Sequence, residues 1–242
     1  MNIIYGKNAV IEALNVGQSL EKIFIARGLK PGNVRAVRQA ARRRNVSIRE
    51  VNRRKIDDMT GNNHHQGIMA IVPRISYHSI EDIFEVANKK NEPPLISLLD
   101  EIQDPHNLGA IVRSAEAFGL HGIIIPKNRS VGLTDTVAKT SAGAIHHLPV
   151  ARVTNLSQII EELKSRGLWI VGADQHSEQR IQDVDLTMPL GIVIGSEGKG
   201  IRRLIREKCD FLVQIPMCGK INSLNASVAA ALIFWEVHRK KI

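Results

Sequence analysis

Two loops rich in glycine and polar residues near the C-terminus hold the side chains best suited to chemistry. They are Gly195-Ser196-Glu197-Gly198-Lys199-Gly200 and Pro216-Met217-Cys218-Gly219-Lys220-Ile221-Asn222-Ser223-Leu224-Asn225-Ala226-Ser227. Each follows an apolar run that reads as a buried strand, Leu190 to Ile194 and Phe211 to Ile215, and each is expected to open a helix. In an open α/β sheet this order puts both loops at the carboxyl edge of adjacent strands, where ligands bind. Together they predict a composite pocket lined by backbone amides, Glu197, Ser223 and Asn225.

A third polar cluster runs from Asp100 to Arg113. Asp104-Pro105-His106-Asn107 reads as a turn capping a helix from Leu108, with Asn107 as the capping side chain. Arg113 falls inside that helix among Ala110, Ile111, Val112, Ala115 and Ala117. A guanidinium on an apolar helix needs an anion to offset its desolvation. Glu116, Glu197 or a substrate phosphate could supply it.

Several common chemistries are unsupported. No G-x-x-x-x-G-K-[ST] occurs, and no G-x-G-x-x-G follows the first strand of the sheet. There is no Ser–His–Asp arrangement around an elbow and no helical His-Glu-x-x-His. His64 and His65 are adjacent but have no third ligand nearby, so no metal is expected.

The elements that must position these residues are legible as alternation. Apolar runs recur at Leu95 to Leu99, Gly122 to Ile125, His147 to Val150, Leu168 to Ala173, Leu190 to Ile194 and Phe211 to Ile215. Helical patterns separate most of them: Leu108 to Phe118, Thr134 to Ala142, Leu156 to Arg166, Ile201 to Glu207 and Ser223 to Arg239. That alternation predicts an α/β domain, residues 95–242, with a parallel sheet covered on both faces. The last helix carries Val228 to Trp235, too apolar for one exposed face, so it belongs in the core or at a subunit interface.

Residues 1–75 read as a small α/β unit of their own, with helices at Asn8 to Leu14 and Asn33 to Arg44 and strands at Lys22 to Ala26, Ser47 to Val51 and Ile68 to Val72. Residues 76–94 read as a linker with a short helix from Ile80 to Lys89, ended by Pro93-Pro94. Charge divides along the same lines. Residues 1–75 hold 14 Lys and Arg against 5 Asp and Glu, while residues 76–242 hold 19 of each. The whole net charge of +9 therefore sits in the first unit. Such an asymmetry marks a module that holds a polyanion by its phosphates. Arg42, Arg43 and Arg44 are the densest part of it, and the polar loop Gly61 to Gly67 could also reach a ligand.

No apolar run approaches the roughly 20 residues needed to span a bilayer, and Met1 to Leu14 lacks the features of a signal peptide. The two cysteines, Cys209 and Cys218, have no metal-ligand spacing and read as buried or incidental thiols of a reduced compartment. The expected location is cytoplasmic, without membrane attachment.

With these residues in order, the chain resembles the SpoU family of RNA ribose 2′-O-methyltransferases. The resemblance rests on Asn107…Arg113, then Ile194-Gly195-Ser196-Glu197-Gly198-x-Gly200, then Ile215-Pro216-Met217-x-Gly219-x-x-x-Ser223-Leu224-Asn225-x-Ser227. Tyr5-Gly6-Lys7-Asn8-Ala9-Val10 with His65-Gln66-Gly67-Ile68 resembles the family's appended N-terminal substrate-binding domain. The two-domain arrangement is most similar to the bacterial enzymes that methylate a guanosine of 23S rRNA.

The resemblance implies a fold that no sequence rule offers: a catalytic domain with a deep trefoil knot, whose C-terminal segment threads a loop to build the cofactor pocket. It implies S-adenosyl-L-methionine as methyl donor and a homodimer acting on large-subunit ribosomal RNA. It places Asn107, Arg113, Glu197, Ser223 and Asn225 in the catalytic set, and Gly195, Ile215, Leu224, Ser196, Met217 and Gly219 around the cofactor. Lys7, Asn8, Arg42, Arg43, Arg44, His65 and Gln66 fall to RNA binding. The family proposal that Arg113 takes the hydroxyl proton strains the chemistry of a group whose pKa is about 12.5 or above. Holding a phosphate and stabilising the developing alkoxide suits it better. The same motifs permit methylation of a tRNA, a resistance methylase on an RNA loop, or an RNA-binding protein with a decayed site. Aromatic content of 4% argues against extensive base stacking.

Overall fold

The computed structural model describes residues 2–61, 64–73, 75–220 and 223–241; Asn62, Asn63, Ile221 and Asn222 of the loops quoted above lie outside them. The chain divides into two compact units, Met1–Ile75 and Ser76–Ile242.

In the first unit, strands β1 (Asn2–Tyr5), β2 (Lys22–Ala26), β3 (Ile48–Val51) and β4 (Ile68–Val72) form a sheet in the order β1-β4-β2-β3. β4 runs antiparallel to both neighbours, and β2 and β3 are parallel. The side-chain period of two along β2 splits the core. Ile23 and Ile25 meet Val10, Leu14, Val34 and Val37 of helices α1 (Lys7–Asn15) and α2 (Pro31–Arg43). Phe24 and Ala26 meet Ile56 of α3 (Arg53–Thr60) on the other face. β1 and α3 were not legible in the sequence. β1 is only four residues long, and α3 offers Ile56 and Met59 as its only large apolar residues.

The second unit carries a six-stranded, wholly parallel sheet of β5 (Leu95–Leu99), β6 (Gly122–Pro126), β7 (Val150–Val153), β8 (Trp169–Ala173), β9 (Leu190–Ile194) and β10 (Phe211–Val213). Its order is β10-β8-β9-β5-β6-β7. β8 therefore lies between β9 and β10, so the two glycine loops follow strands that are not adjacent as expected but flank a third. β7 begins at Val150 rather than His147, because Pro149 lacks the N–H a ladder needs and Ala144–His146 forms a 3₁₀ turn before it. The loop after β9 does not open a helix directly. Ser196 and Gly200 exchange backbone hydrogen bonds of 3.1 and 2.9 Å, closing a tight hairpin before the four-residue helix α8 (Arg203–Arg206).

Residues 76–94 belong to this second unit. Within them α4 (Ile80–Lys90) starts with a capping box between Ser79 and Asp82 and buries Ile83. A Cβ on Gly122, the first residue of β6, would sit 2.5 Å from Ile83 Cγ1, so the helix lies directly on the strand. The remaining helices are α5 (Pro105–Ala117), α6 (Asp135–Thr140), α7 (Leu156–Ser165) and α9 (Ala226–Arg239), with α5 packed on both α6 and α9. No helix among the described residues is long and apolar enough to cross a membrane. Substituting Gly122→Ala is expected to cost about 1–3 kcal/mol in urea unfolding by overpacking α4, and that cost should shrink in an Ile83→Ala background, which removes all three atoms the new Cβ would meet. An unchanged midpoint for Gly122→Ala would show that α4 is not seated on β6.

Candidate active site

The site forms where the carboxyl ends of β5, β8, β9 and β10 come together, beside the point where the sheet order reverses. From β5 comes Asp100, fully buried, whose carboxylate accepts from Arg202 N at 2.9 Å and from Arg202 Nε at 2.8 Å. This pair ties the end of the β9 hairpin to the end of β5, and Asp100 holds the Arg202 guanidinium above the usual arginine range. Gly195 leaves no room for a side chain: a Cβ there would lie 2.1 Å from the Gly200 carbonyl carbon.

Asn225 connects the three polar clusters. Its amide nitrogen donates to Asn107 Oδ1 at 2.9 Å and to Glu197 Oε2 at 3.2 Å. Its oxygen accepts from Ser227 N at 2.9 Å and Val228 N at 3.4 Å, which makes Asn225 the N-cap of α9. Asn107 is not a cap. Asp104 caps α5 by accepting from His106 N at 2.8 Å, and Asn107 sits in the first turn with its oxygen free to meet Asn225.

Two cavities open on either side of the Ser196-Glu197 segment. The larger, of about 200 Å³, is bounded by the β9 hairpin, by Ile215, Met217, Ser223 and Leu224 of the last loop, and by Ala173 to His176 after β8. The second, about 190 Å³, is lined by Glu101, Ile102, Gln103, Asn107, Ser196, Glu197, Lys199 and Ala226. Of the residues the resemblance assigned to the cofactor, Gly195, Ser196, Ile215, Met217 and Leu224 line the larger cavity and Gly219 does not. Glu197 borders both cavities, Ser223 the first and Asn107 the second.

Arg113 lines neither cavity. It is exposed on the face of α5 opposite Leu108, Ile111, Val112 and Ala115, without a hydrogen bond or ion pair among the described residues. The expected buried guanidinium is thus an exposed one, because α5 turns it away from the apolar stripe that packs the helix.

Sequence reasoning missed the wall built by Ala173 to His176. Asp174 there bonds Arg206 at 2.7 Å, and the segment beyond it pairs with the chain after β10 through Gln214 N to Gln179 O at 2.8 Å. The signal was present, since this segment follows a strand at the same carboxyl edge, but using it needs the strand order. Cys209 is largely buried, and burial pushes its thiol up to about 12. Cys218 is exposed in the last loop. No cluster of metal-ligating side chains occurs among the described residues.

The N-terminal candidates fall into separate places. Lys7 and Asn8 open α1, and Lys7 N donates to Gln66 Oε1 at 3.4 Å. His65 is buried: its Nδ1 accepts from Gly67 N at 2.9 Å and its Nε2 faces Asp57 Oδ1 at 2.6 Å. Arg44 donates from Nε to Leu14 O at 3.0 Å and from Nη2 to Asn15 O at 3.3 Å, satisfying the C-terminal carbonyls of α1. Arg42 and Arg43 are exposed at the end of α2.

Comparison with known proteins agrees with this geometry. The model of the SpoU rRNA methylase family matches residues 94–235, and that of RNA 2′-O ribose methyltransferase substrate binding matches residues 3–78. The chain belongs to the SpoU family. YacO of Bacillus subtilis, whose name assigns it to the TrmH family of tRNA/rRNA methyltransferases, is 51% identical over 98% of this chain and 95% of its own length. The structure of the SpoU methyltransferase AviRb from Streptomyces viridochromogenes with AdoMet superposes with a TM-score of 0.66 and 26% identity, covering 99% of this chain and 90% of AviRb. An A. aeolicus TrmH/SpoU tRNA modifying enzyme is 29% identical with a TM-score of 0.57, covering 66% of this chain and 81% of its own.

This SpoU protein is an S-adenosylmethionine-dependent RNA 2′-O-methyltransferase, with the family's α/β knotted-domain architecture and an N-terminal α/β unit. Its larger cavity fits the cofactor. Ile194, Ile215, Met217 and Leu224 offer apolar walls for a purine, while the closely folded backbone at Gly195 to Gly200 offers polar groups. When bound, the cofactor supplies a methyl carbon made electrophilic by its sulfonium. This chain's own task is to align a ribose hydroxyl with that carbon, which is worth several kcal/mol in a well-oriented site.

Asn225→Asp keeps the oxygen that caps α9 but replaces the donor with a carboxylate facing Glu197. Helix content and S-adenosylmethionine affinity should stay near those of the original chain, while methyl transfer at pH 7 falls at least about tenfold as Asn107 and Glu197 lose their common donor. Wild-type turnover in this variant would remove the Asn225 amide from the working site.

Proposed function

We propose that the protein methylates the ribose 2′-hydroxyl of one guanosine in 23S rRNA, as a step of rRNA processing during ribosome biogenesis in the cytoplasm, and that it acts as a homodimer. The observation that carries the rRNA reading is the basic N-terminal unit, with its match to the substrate-binding family over residues 3–78. The tRNA modifying relative matches 66% of this chain, too little to span both units. A large folded RNA held through phosphates by a separate basic module fits that difference. Methylation of a tRNA is the second reading, favoured by the name of YacO, which covers both RNA classes.

The dimer reading is supported by α9. Val228, Leu232 and Trp235 recur at helical spacing and are 42–47% exposed, a stripe that one copy leaves open to water. Phe118 extends it through a tilted ring contact with Trp235 at 5.8 Å. Sedimentation should therefore give twice the 26.8 kDa of one chain; a single-chain mass at micromolar concentration would remove the dimer.

Catalysis then divides among several side chains. Asn225 fixes Asn107 and Glu197 at the boundary between the two cavities. Ser223 faces the methyl donor, and Arg113 holds a phosphate beside the target ribose and stabilises the alkoxide as it forms. Arg113→Lys keeps the charge and loses the two-pronged geometry, so part of the activity should survive at saturating RNA. Complete loss with unchanged RNA affinity would favour Arg113 as the proton acceptor instead.

The deciding experiment is tritium transfer from labelled S-adenosylmethionine to 23S rRNA lacking the modification, with mapping of the methylated ribose. Label at one guanosine is the expected result. Label on tRNA and none on 23S rRNA would keep the reaction and replace the substrate.

A further inference from the structure

The register of the N-terminal sheet gathers four strand ends at one edge. Tyr5 pairs with Met69, Ile25 with Ile68 and Ala26 with Val51, so the C-termini of β1, β2 and β3 meet the N-terminus of β4. Lys7, Arg27, Arg53 and Gln66 lie within two residues of those ends, and Arg27, Arg53 and Gln66 are exposed. α2 starts just beyond this edge and runs back over the sheet. Its 13 residues carry Arg42 and Arg43 about 19 Å away by helical rise, to the opposite edge. Arg44 goes with them and is spent on the carbonyls of α1. The cations named here therefore lie in two groups at opposite ends of the unit, and the strand-end group lies beside an exposed aromatic ring.

That ring is Tyr5, 40% exposed at the end of an edge strand, with no hydrogen bond among the described residues. A single exposed tyrosine is ordinary on its own. Its setting is not. Gly6, at φ +93°, turns the chain away directly after it. Gln66 stands across the edge in a left-handed conformation, φ +51°. His65 holds it so: the Gly67 N–H donates to Nδ1, which leaves Nε2 as the donor to Asp57. The Gln66 oxygen accepts from Lys7 N, and its amide hydrogens remain available to a base edge.

We propose that this edge is where the unit reads RNA, with the Tyr5 ring stacked on one unpaired base and Lys7, Arg27 and Arg53 on the flanking phosphates. The ligand is a nucleotide in a single-stranded loop of a folded RNA, since a base inside a duplex cannot reach a lone ring. His65 is a positioning residue of that surface and not a contact. The proposal rests on the reading that the N-terminal unit binds the RNA substrate.

The test uses the full chain and two probes, an RNA hairpin with a short unpaired loop and a fully paired RNA duplex of equal length, with affinity measured by fluorescence anisotropy across a salt series. Tyr5→Ala should weaken hairpin binding about tenfold and leave duplex binding alone, and Tyr5→Phe should restore it, because stacking needs the ring and not the hydroxyl. Lys7→Ala with Arg27→Ala should weaken both probes and flatten the salt dependence. Arg42→Ala with Arg43→Ala, which removes charge at the other end of the unit, should weaken the two probes equally and by less than the Lys7/Arg27 variant. Loss of affinity in the Arg42/Arg43 variant with none in the Tyr5 and Lys7/Arg27 variants would overturn the proposal while keeping RNA binding by this unit. Unchanged affinity in every one of these variants would instead remove the unit from RNA binding. Far-UV circular dichroism and urea unfolding of each variant, measured in parallel, report that the N-terminal unit is folded.

Discussion

One side-chain amide holds the catalytic arrangement together. The Asn225 nitrogen bonds Asn107, 118 residues earlier, and Glu197, 28 residues earlier, while its oxygen caps the helix on which it sits. An asparagine can do this because it carries donors and acceptors on opposite sides of one planar group. Aspartate would cap but not donate, and serine would cap but not reach. The cap fixes where α9 begins, α9 packs on α5, and α5 carries Asn107 back to the same amide. The loop is closed: the position of each element follows from the other two.

Such a closure tolerates little slack, and the rest of the site removes it. Asp100, with no exposed surface, is held by the backbone and the guanidinium of Arg202, which pins the far end of the β9 hairpin. Removing that guanidinium would leave the buried carboxylate held by the Arg202 N–H alone, which destabilises the hairpin anchor. The hairpin between these anchors has Gly195 against the Gly200 backbone, so no side chain can pry it open. At its other end α9 is fastened by Lys240, whose ammonium donates to the carbonyls of Gln182 and Val184 in the segment between β8 and β9. The last helix is thereby tied at both ends to chain that precedes it by tens of residues, as expected of a cofactor pocket made by a threaded C-terminal segment.

The sequence disclosed the parts of this site that repeat a simple rule. Glu197, Ser223 and Asn225 were legible because each follows an apolar run of strand length, and ligands gather at strand ends. What stayed hidden depends on relations between strands or on rotation about a helix. The wall at Ala173 to His176 needs the knowledge that β8 separates β9 from β10. The exposure of Arg113 follows from 100° per residue around α5, which places it away from the buried stripe even though its sequence neighbours are apolar. Arg44 and His65 stood out by charge and motif position, and nothing in their sequence context signals the backbone bonds they make, to Leu14 O and from Gly67 N. A short run such as that of α3, with two large apolar residues, carries too little periodicity to be seen before its partners Phe24 and Met69 are known.

The division of charge now has a physical reason. The cavities of the second unit are edged by Glu101, Asp174 and Glu197 together with Lys199 and Arg206, and that unit as a whole carries no excess charge. Carboxylates suit a site that handles a ribose hydroxyl and a cationic sulfonium, but they repel the phosphates of the same substrate. Most of the attraction for the polyanion therefore falls to residues 1–75, which hold all of the net +9, while single cations of the second unit such as Arg113 act locally. A neutral catalytic unit and a basic binding unit can then be tuned separately. Salt weakens the second through counterion release and leaves a mostly apolar cofactor pocket nearly untouched. Methyl transfer by this chain should accordingly lose RNA affinity with rising ionic strength long before it loses its cofactor.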